Sequence, residues 1–202
     1  MTRNRPIIVF STFLVLGIAS LVVYLSLWPS LTVSDACPNP IKANDTYIAT
    51  DTEGHTFTAQ NLLGSPTLLF FGFTYCPEVC PTTMNDISRW LESLGKDADK
   101  IKVVFVTVDP ERDTPDQLKN YLNSFDKRIH GIVPTPCNLA IIAKNYNIFY
   151  EKVQLEHGEY GMDHDANILL LDDNGHMVGT LNYQESDEIA HVKLEKLVAL
   201  EK

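Results

Sequence analysis

The chain has no surplus of basic residues: 16 Lys and Arg stand against 26 Asp and Glu, a net charge of −10 at pH 7. Affinity for a nucleic-acid backbone comes from clustered Lys and Arg that release counterions from phosphates, so this balance excludes a nucleic-acid binder. Cysteine is scarce as well. Four among 202 residues are too few for a disulfide scaffold, which makes their positions matter more than their number. There is no internal repeat, no low-complexity tract, and no proline after Pro136. What is present is ordinary: 45% hydrophobic and 21% charged residues describe a folded domain and exclude a disordered or collagen-like chain.

One segment departs from that average. Residues 7–28 run for 22 positions without a charged side chain. As a helix they reach roughly 33 Å, enough to cross a hydrocarbon layer of about 30 Å. Tyr24 and Trp28 stand where an interfacial aromatic belt belongs, and Arg3 and Arg5 precede the run. The positive-inside rule then keeps residues 1–6 in the cytoplasm and exports everything beyond the span. A cleavable signal peptide would be shorter and would offer small residues at its end, and neither holds here. Lipidation at Cys37 would want an aliphatic residue where Ser34 stands. The expectation is a single-pass anchor at 7–28 in the inner (cytoplasmic) membrane, a Pro-rich tether at 29–43, and a domain at 44–202 in the periplasm or its equivalent outside the membrane.

In that domain, continuous apolar runs alternate with helical patterns. Residues 67–73 and 101–109 read as buried strands, because runs apolar on both faces belong inside a sheet. A helix is expected from Pro81 to Leu94 with Gly95 at its end, and another from Pro115 with Thr114 as its cap. A short helix at 138–146 is followed by a strand near 148–153. Strands at 168–171 and 177–181 flank the turn signal Asp173-Asn174-Gly175, and Ser186 caps a final helix. This order predicts an α/β sandwich with a central mixed sheet.

Cys76 and Cys80 fall between the first strand and the first helix, in Phe73-Thr74-Tyr75-Cys76-Pro77-Glu78-Val79-Cys80-Pro81. That is the carboxyl end of a strand, where α/β folds place their sites. Pro81 at the first helical position would make Cys80 the capping residue, with its thiolate favoured by the positive helix end. A C-x-x-x-C loop is one residue longer than the C-x-x-C of thioredoxin-type oxidoreductases, which suits a metal better than a dithiol exchange.

Two cysteines do not specify a metal, so a third ligand is sought among six histidines. His55, His130, His176 and His191 lie in polar or turn-like contexts and read as surface residues. His157 lies in a Glu-rich stretch. His164 stands in Gly161-Met162-Asp163-His164-Asp165-Ala166, immediately before the apolar strand. In thioredoxin-like folds the segment entering that strand faces the cysteine loop and normally carries a cis-proline. Here an imidazole takes its place beside two thiolates. Such a soft, low-coordinate set favours Cu(I) and also suits Cu(II), whereas zinc would want a fourth ligand.

Together the cysteine run Gly72–Pro81, the later Val108-Asp109-Pro110-Glu111-Arg112-Asp113-Thr114-Pro115 and Asp163-His164 resemble the Sco (SenC-type) copper proteins. The resemblance spans the exported domain in the right order. It implies a thioredoxin-like fold and one copper, Cu(I) or Cu(II), held by Cys76, Cys80 and His164. It also implies a role in assembling the dinuclear CuA centre of cytochrome c oxidase subunit II, with another copper chaperone as a possible donor. Asp109 and Asp163 are candidates for orienting the site from behind its ligands. Asp165 follows the histidine where the family more usually has a small hydroxyl residue. Cys37 and Cys137 lie outside the copper motif. In an oxidising compartment they can pair across about 100 residues, worth about 4.7 kcal/mol in the chain-entropy model.

Four functions compete. The first is a membrane-tethered copper metallochaperone without turnover. The second is a thiol–disulfide reductase in which Cys76 and Cys80 are the redox-active pair that keeps an acceptor's cysteines reduced. A thiol peroxidase would want Thr three residues before its reactive cysteine, where this chain has Phe73 and Pro77. A purely structural module is the fourth.

Overall fold

The structure is a computed structural model, and it describes residues 46–200, all within one compact unit of the chain. Its elements in order are β1 (Ile48–Asp51), β2 (Thr56–Thr58), β3 (Thr67–Gly72), α1 (Val79–Leu94), β4 (Lys102–Thr107), α2 (Pro115–Leu122), β5 (Ile129–Pro134), α3 (Pro136–Asn145), β6 (Tyr150–Gln154), β7 (Tyr160–His164), β8 (Ile168–Leu171), β9 (Met177–Leu181) and α4 (Asp187–Val198). Seven strands make one mixed sheet in the order β2-β1-β5-β4-β3-β8-β9, and β6 with β7 forms a separate antiparallel pair.

Strand β3 (TLLFFG) is buried at all six positions. It lies at the sheet's interior, parallel to β4 and antiparallel to β8, so both its faces are covered. That is why it reads as an unbroken apolar run rather than an alternating one. Helix α1 buries Met84, Ile87, Trp90 and Leu91, one stripe at helical spacing. It packs beside α4, where Arg89 and the indole N–H of Trp90 both donate to Asp187, the latter at 2.8 Å. This is a thioredoxin-like α/β fold with a mixed central sheet and flanking helices.

Several boundaries follow the local signals. Thr114 caps α2 in a reciprocal capping box with Gln117, and Ser186 caps α4. Gly95 ends α1 with φ +58° and Gly175 takes φ +76° in the β8–β9 turn, conformations that cost a side-chain-bearing residue. Others differ. Helix α1 starts at Val79, two residues before Pro81, so Cys80 lies inside the first turn instead of capping it. The first four helical N–H groups have no partner within the helix, so Pro81 loses no bond there. Helix α3 starts at Pro136 behind a Thr135 cap, not at Asn138.

Four strands were not anticipated. β1 and β2 are short and pair at one edge. β5 (IHGIVP) contains Gly131 and Pro134 and reads as loop until its parallel neighbour β4 is present. β7 is the strand that delivers His164, and β6, expected in the central sheet, pairs with it instead.

The expected anchor at 7–28 and tether at 29–43 lie outside the described residues. Among those described, no helix is long and apolar enough to cross a membrane. Cys137, in the first turn of α3, is disulfide-bonded; its expected partner, Cys37, lies outside the described residues.

Candidate metal centre

Three segments meet at one end of the central strands because of strand direction. β3 and β4 run parallel, with Gly72 beside Thr107, so the loops that leave them, 73–78 and 108–114, emerge side by side. β8 runs antiparallel to β3, so the chain entering β8 arrives at that same end. The first loop carries Cys76, the second Asp109, Arg112 and Asp113, and the entering chain carries His164.

Cys76, Cys80 and His164 are brought together, their ligand atoms all within 4.8 Å of one another. Cys80 is buried and Cys76 partly exposed. Nε2 of His164 stands 3.6 Å from Cys80 Sγ, and Nδ1 lies 2.9 Å from the carbonyl of Asp165. A carbonyl only accepts, so that contact places the proton on Nδ1 and leaves the Nε2 lone pair facing the sulfur atoms. The ring is seated edge-on against Phe73 and Phe70, with centroids at 5.8 and 6.1 Å.

The two thiols are unequal. Cys76 is lowered to about 4, chiefly by the hydrogen bond from the Cys80 thiol and against the cost of burial; the amides of Cys80 and Glu78 add to the lowering. Cys80 is pushed far up, first because its thiol serves Cys76, then by burial and by the Cys76 charge. The metal-free site therefore holds one thiolate and one thiol. The helix end does favour a thiolate, but on Cys76, whose sulfur accepts the Cys80 amide at 3.3 Å, and not on Cys80 as the capping expectation had it.

The acidic residues fall in different surroundings. Asp163 is exposed, and strand alternation turns it to the face opposite His164, so the structure does not bring it to the imidazole. Asp165 reaches His164 through its backbone carbonyl, while its carboxylate accepts from the amide of Phe149 at 2.8 Å. Asp109 is buried and accepts from the Tyr160 hydroxyl at 2.9 Å and from Arg112. Of the other histidines, His55 and His176 stand exposed beside Asp51 and Asp172, His130 is exposed on β5, and His191 pairs with Glu195 on α4. His157 belongs to the turn between β6 and β7.

Two supporting residues escaped sequence reasoning. Asp113 is fully buried and accepts from the Thr74 amide (3.0 Å), the Thr74 hydroxyl (2.5 Å) and the Thr107 hydroxyl (2.6 Å), which fastens the cysteine loop to β4. Burial raises its pKa, and the threonine hydrogen bonds work against the rise. Gly72 is the other: a Cβ there would meet Cys80 Sγ at 2.9 Å and the rings of Phe70 and Phe105 at 2.8 Å. A glycine directly before a cysteine loop is a readable signal for a close approach; a buried aspartate six residues past a strand's end is not.

Donors that each bond a central ion at about 2.0–2.3 Å stand at most about 4.6 Å apart. The observed spacing is close to that limit, and two sulfurs with one imidazole make a soft set. The residues present thus fit one soft metal ion. Fold and site together define a thioredoxin-like domain in which a cysteine pair faces a histidine. The SCO1/SenC family model matches residues 37–199, and the chain belongs to that family. It is 32% identical over 181 residues to the SCO2-like protein of Rickettsia prowazekii, covering 87% of this chain and 88% of that protein. Among solved structures it is similar to copper-bound ScoI of Bradyrhizobium japonicum (42% identity, TM-score 0.71, covering 77% of this chain and 99% of that one). It is also similar to copper-bound yeast Sco1 (28% identity, TM-score 0.70, covering 78% and 89%).

Proposed function

We propose that this chain is a membrane-anchored copper metallochaperone that carries one copper on Cys76, Cys80 and His164 and supplies it to the CuA centre of cytochrome c oxidase subunit II. The observation that carries the reading is the placement of the His164 ring, with Nε2 3.6 Å from Cys80 Sγ and Nδ1 2.9 Å from the Asp165 carbonyl. An imidazole beside two sulfurs completes a soft ligand set. The copper-bound relatives support the metal, and family membership supports the oxidase. Copper is the cargo: two thiolates and one imidazole hold it without filling its coordination shell, so an acceptor's thiolate can enter before the chain's own ligands leave. The proposed organisation is a cytoplasmic stub at 1–6, an inner-membrane span at 7–28, a tether at 29–43 and a periplasmic domain at 44–202. A second copper chaperone would load it.

The inequality of the thiols favours a second reading, a thiol–disulfide reductase. The Cys76 thiolate would attack an acceptor disulfide, expelling one acceptor thiolate and forming a mixed disulfide. Cys80, on losing its proton, would then attack Cys76 and release the second acceptor thiol, leaving Cys76–Cys80 oxidised. The two readings exclude one another at any instant, because an oxidised pair binds no copper.

Anaerobic copper titration of the reduced, detergent-solubilised full chain tests the proposal, with Cys76→Ser, Cys80→Ser and His164→Ala alongside. One copper per chain, lost with either serine variant and spectrally altered in His164→Ala, is expected. Binding indifferent to His164 would sink the copper reading and leave the redox potential of the cysteine pair as the quantity to measure.

A further inference from the structure

The β6–β7 pair forms its own sheet and shares no strand pairing with the central one, yet its last residue is His164. Lys152 of β6 pairs with Glu111 at 2.6 Å and Tyr150 and Met162 pack on the core, but the gripped end of β7 is held to the body chiefly through one guanidinium. Arg112, in the β4–α2 loop, pairs through Nε with the buried carboxylate of Asp109 and donates from Nη1 to the carbonyl of Tyr160 at 3.0 Å. Its Cζ stands over the Tyr160 ring, 3.8 Å from the centroid, and over the Tyr75 ring, 4.7 Å from the centroid. The Tyr160 hydroxyl donates back to the same Asp109 at 2.9 Å, closing a three-residue ring. Tyr75 neighbours Cys76 in the cysteine loop. One side chain therefore touches the three segments that build the metal centre.

Strand geometry makes that grip relevant to the imidazole. Tyr160, Met162 and His164 share one face of β7, and about 13 Å of extended chain separates the gripped end from the ligand end. β7 is paired with β6 along its whole length from Tyr160 to His164, so the gripped end and the ligand end belong to one stiff ladder, with Met162 seated on the core between them. Lysine would not substitute: the ring needs two donors diverging from one plane and a flat face for two aromatic rings.

We propose that Arg112 is a positioning residue of the metal centre: by fastening β7 to Asp109 and to Tyr75 it sets where His164 stands relative to Cys76 and Cys80. This rests on the reading of His164 as a copper ligand.

The test uses the full chain with Arg112→Ala, Arg112→Lys, Tyr160→Phe, His164→Ala and the Arg112→Ala/His164→Ala double variant. In the metal-free protein, amide hydrogen exchange across 150–164 should quicken at least about tenfold in Arg112→Ala while β3 and β4 keep their protection. Arg112→Lys should not restore it. With Cu(II) added, the thiolate-to-copper absorption and the EPR signal of Arg112→Ala should move towards those of His164→Ala. The double variant should then show no further change, because Arg112 acts through the histidine. Hairpin exchange at the wild-type rate in Arg112→Ala overturns the proposal, and so does a loosened hairpin with a wild-type copper spectrum. If Arg112→Ala does not fold, Tyr160→Phe, which loses only the hydroxyl bond to Asp109, carries the same two comparisons. If the wild-type chain takes up no copper, the ligand reading fails separately. Exchange across 150–164 and the His164 ring resonances in the metal-free variants then decide whether Arg112 holds the histidine.

Discussion

The sulfur of Cys76 accepts a hydrogen bond from the backbone amide of Cys80 at 3.3 Å, so one cysteine of the pair caps the helix whose first turn contains the other. Glu78, which stands at the cap position, makes no side-chain cap bond. The helix end thus stabilises charge on the outer, reachable sulfur while the inner one stays buried and protonated. The pair is pre-arranged as donor and acceptor before any metal or disulfide reaches it.

That asymmetry predicts how the reduced, metal-free protein reacts. With Cys76 lowered to about 4, its thiolate persists as pH falls and is lost only near that value. Iodoacetamide should therefore modify Cys76 at a rate nearly flat between about pH 5 and about pH 8, with Cys80 untouched. Peptide mass spectrometry of the alkylated chain checks this. Modification of Cys80, or a rate climbing steadily across that range, would contradict it.

Loading with copper should release about one proton per ion at neutral pH, because only the Cys80 thiol still holds one. Two ordinary thiols would release nearly two. Titration in weak buffer with a pH indicator distinguishes the cases, and Cys80→Ser should abolish the release.

Gly72→Ala should weaken both the fold and the site. The new methyl would sit 2.9 Å from Cys80 Sγ and 2.8 Å from two phenyl rings that are themselves buried in the core, and none of these can retreat freely. Overpacking of this kind costs about 1–3 kcal/mol. Urea unfolding measures it, and copper affinity should fall in the same variant because Cys80 must move. An unchanged midpoint with full copper binding would show that the core yields there.

Asp113 should reveal itself through pH. Burial raises its pKa in the folded protein, so its contribution to stability is complete below the unfolded carboxylate value of about 3.9 and is lost as pH rises through the folded value. Asp113→Asn should remove that loss, giving a flatter stability profile above about pH 4 while keeping an acceptor for a threonine. Asp113→Ala leaves the Thr74 and Thr107 donors unanswered and should cost about 1–3 kcal/mol. Denaturant midpoints measured across pH separate the two variants.

Much of this protein was legible in its residues taken in order. The unbroken run at 67–72, the helical stripe of Met84, Ile87, Trp90 and Leu91, and the caps Thr114 and Ser186 are local signals, each set by neighbours within a turn or a strand, and the structure follows them. Cys76, Cys80 and His164 were also singled out on local grounds: the cysteines by spacing and by the prolines behind them, the histidine by its place before a strand. Tertiary structure alone decided the rest. β5 becomes a strand because β4 and β1 lie on either side of it, despite Gly131 and Pro134. Cys80 falls inside α1 because a helix tolerates proline in its first turn. Asp163 turns outward because β7 is a strand, and alternation then leaves the imidazole to the carbonyl of Asp165. Thr74 and Asp113 meet although 39 residues separate them, because parallel strands release their loops side by side. Which cysteine carries the charge is likewise a matter of distances, since both precede a proline and only packing distinguishes the sulfur that accepts from the one that donates. Local order can name the candidates for a site; their protonation and alignment depend on contacts between segments that the chain brings together only when folded.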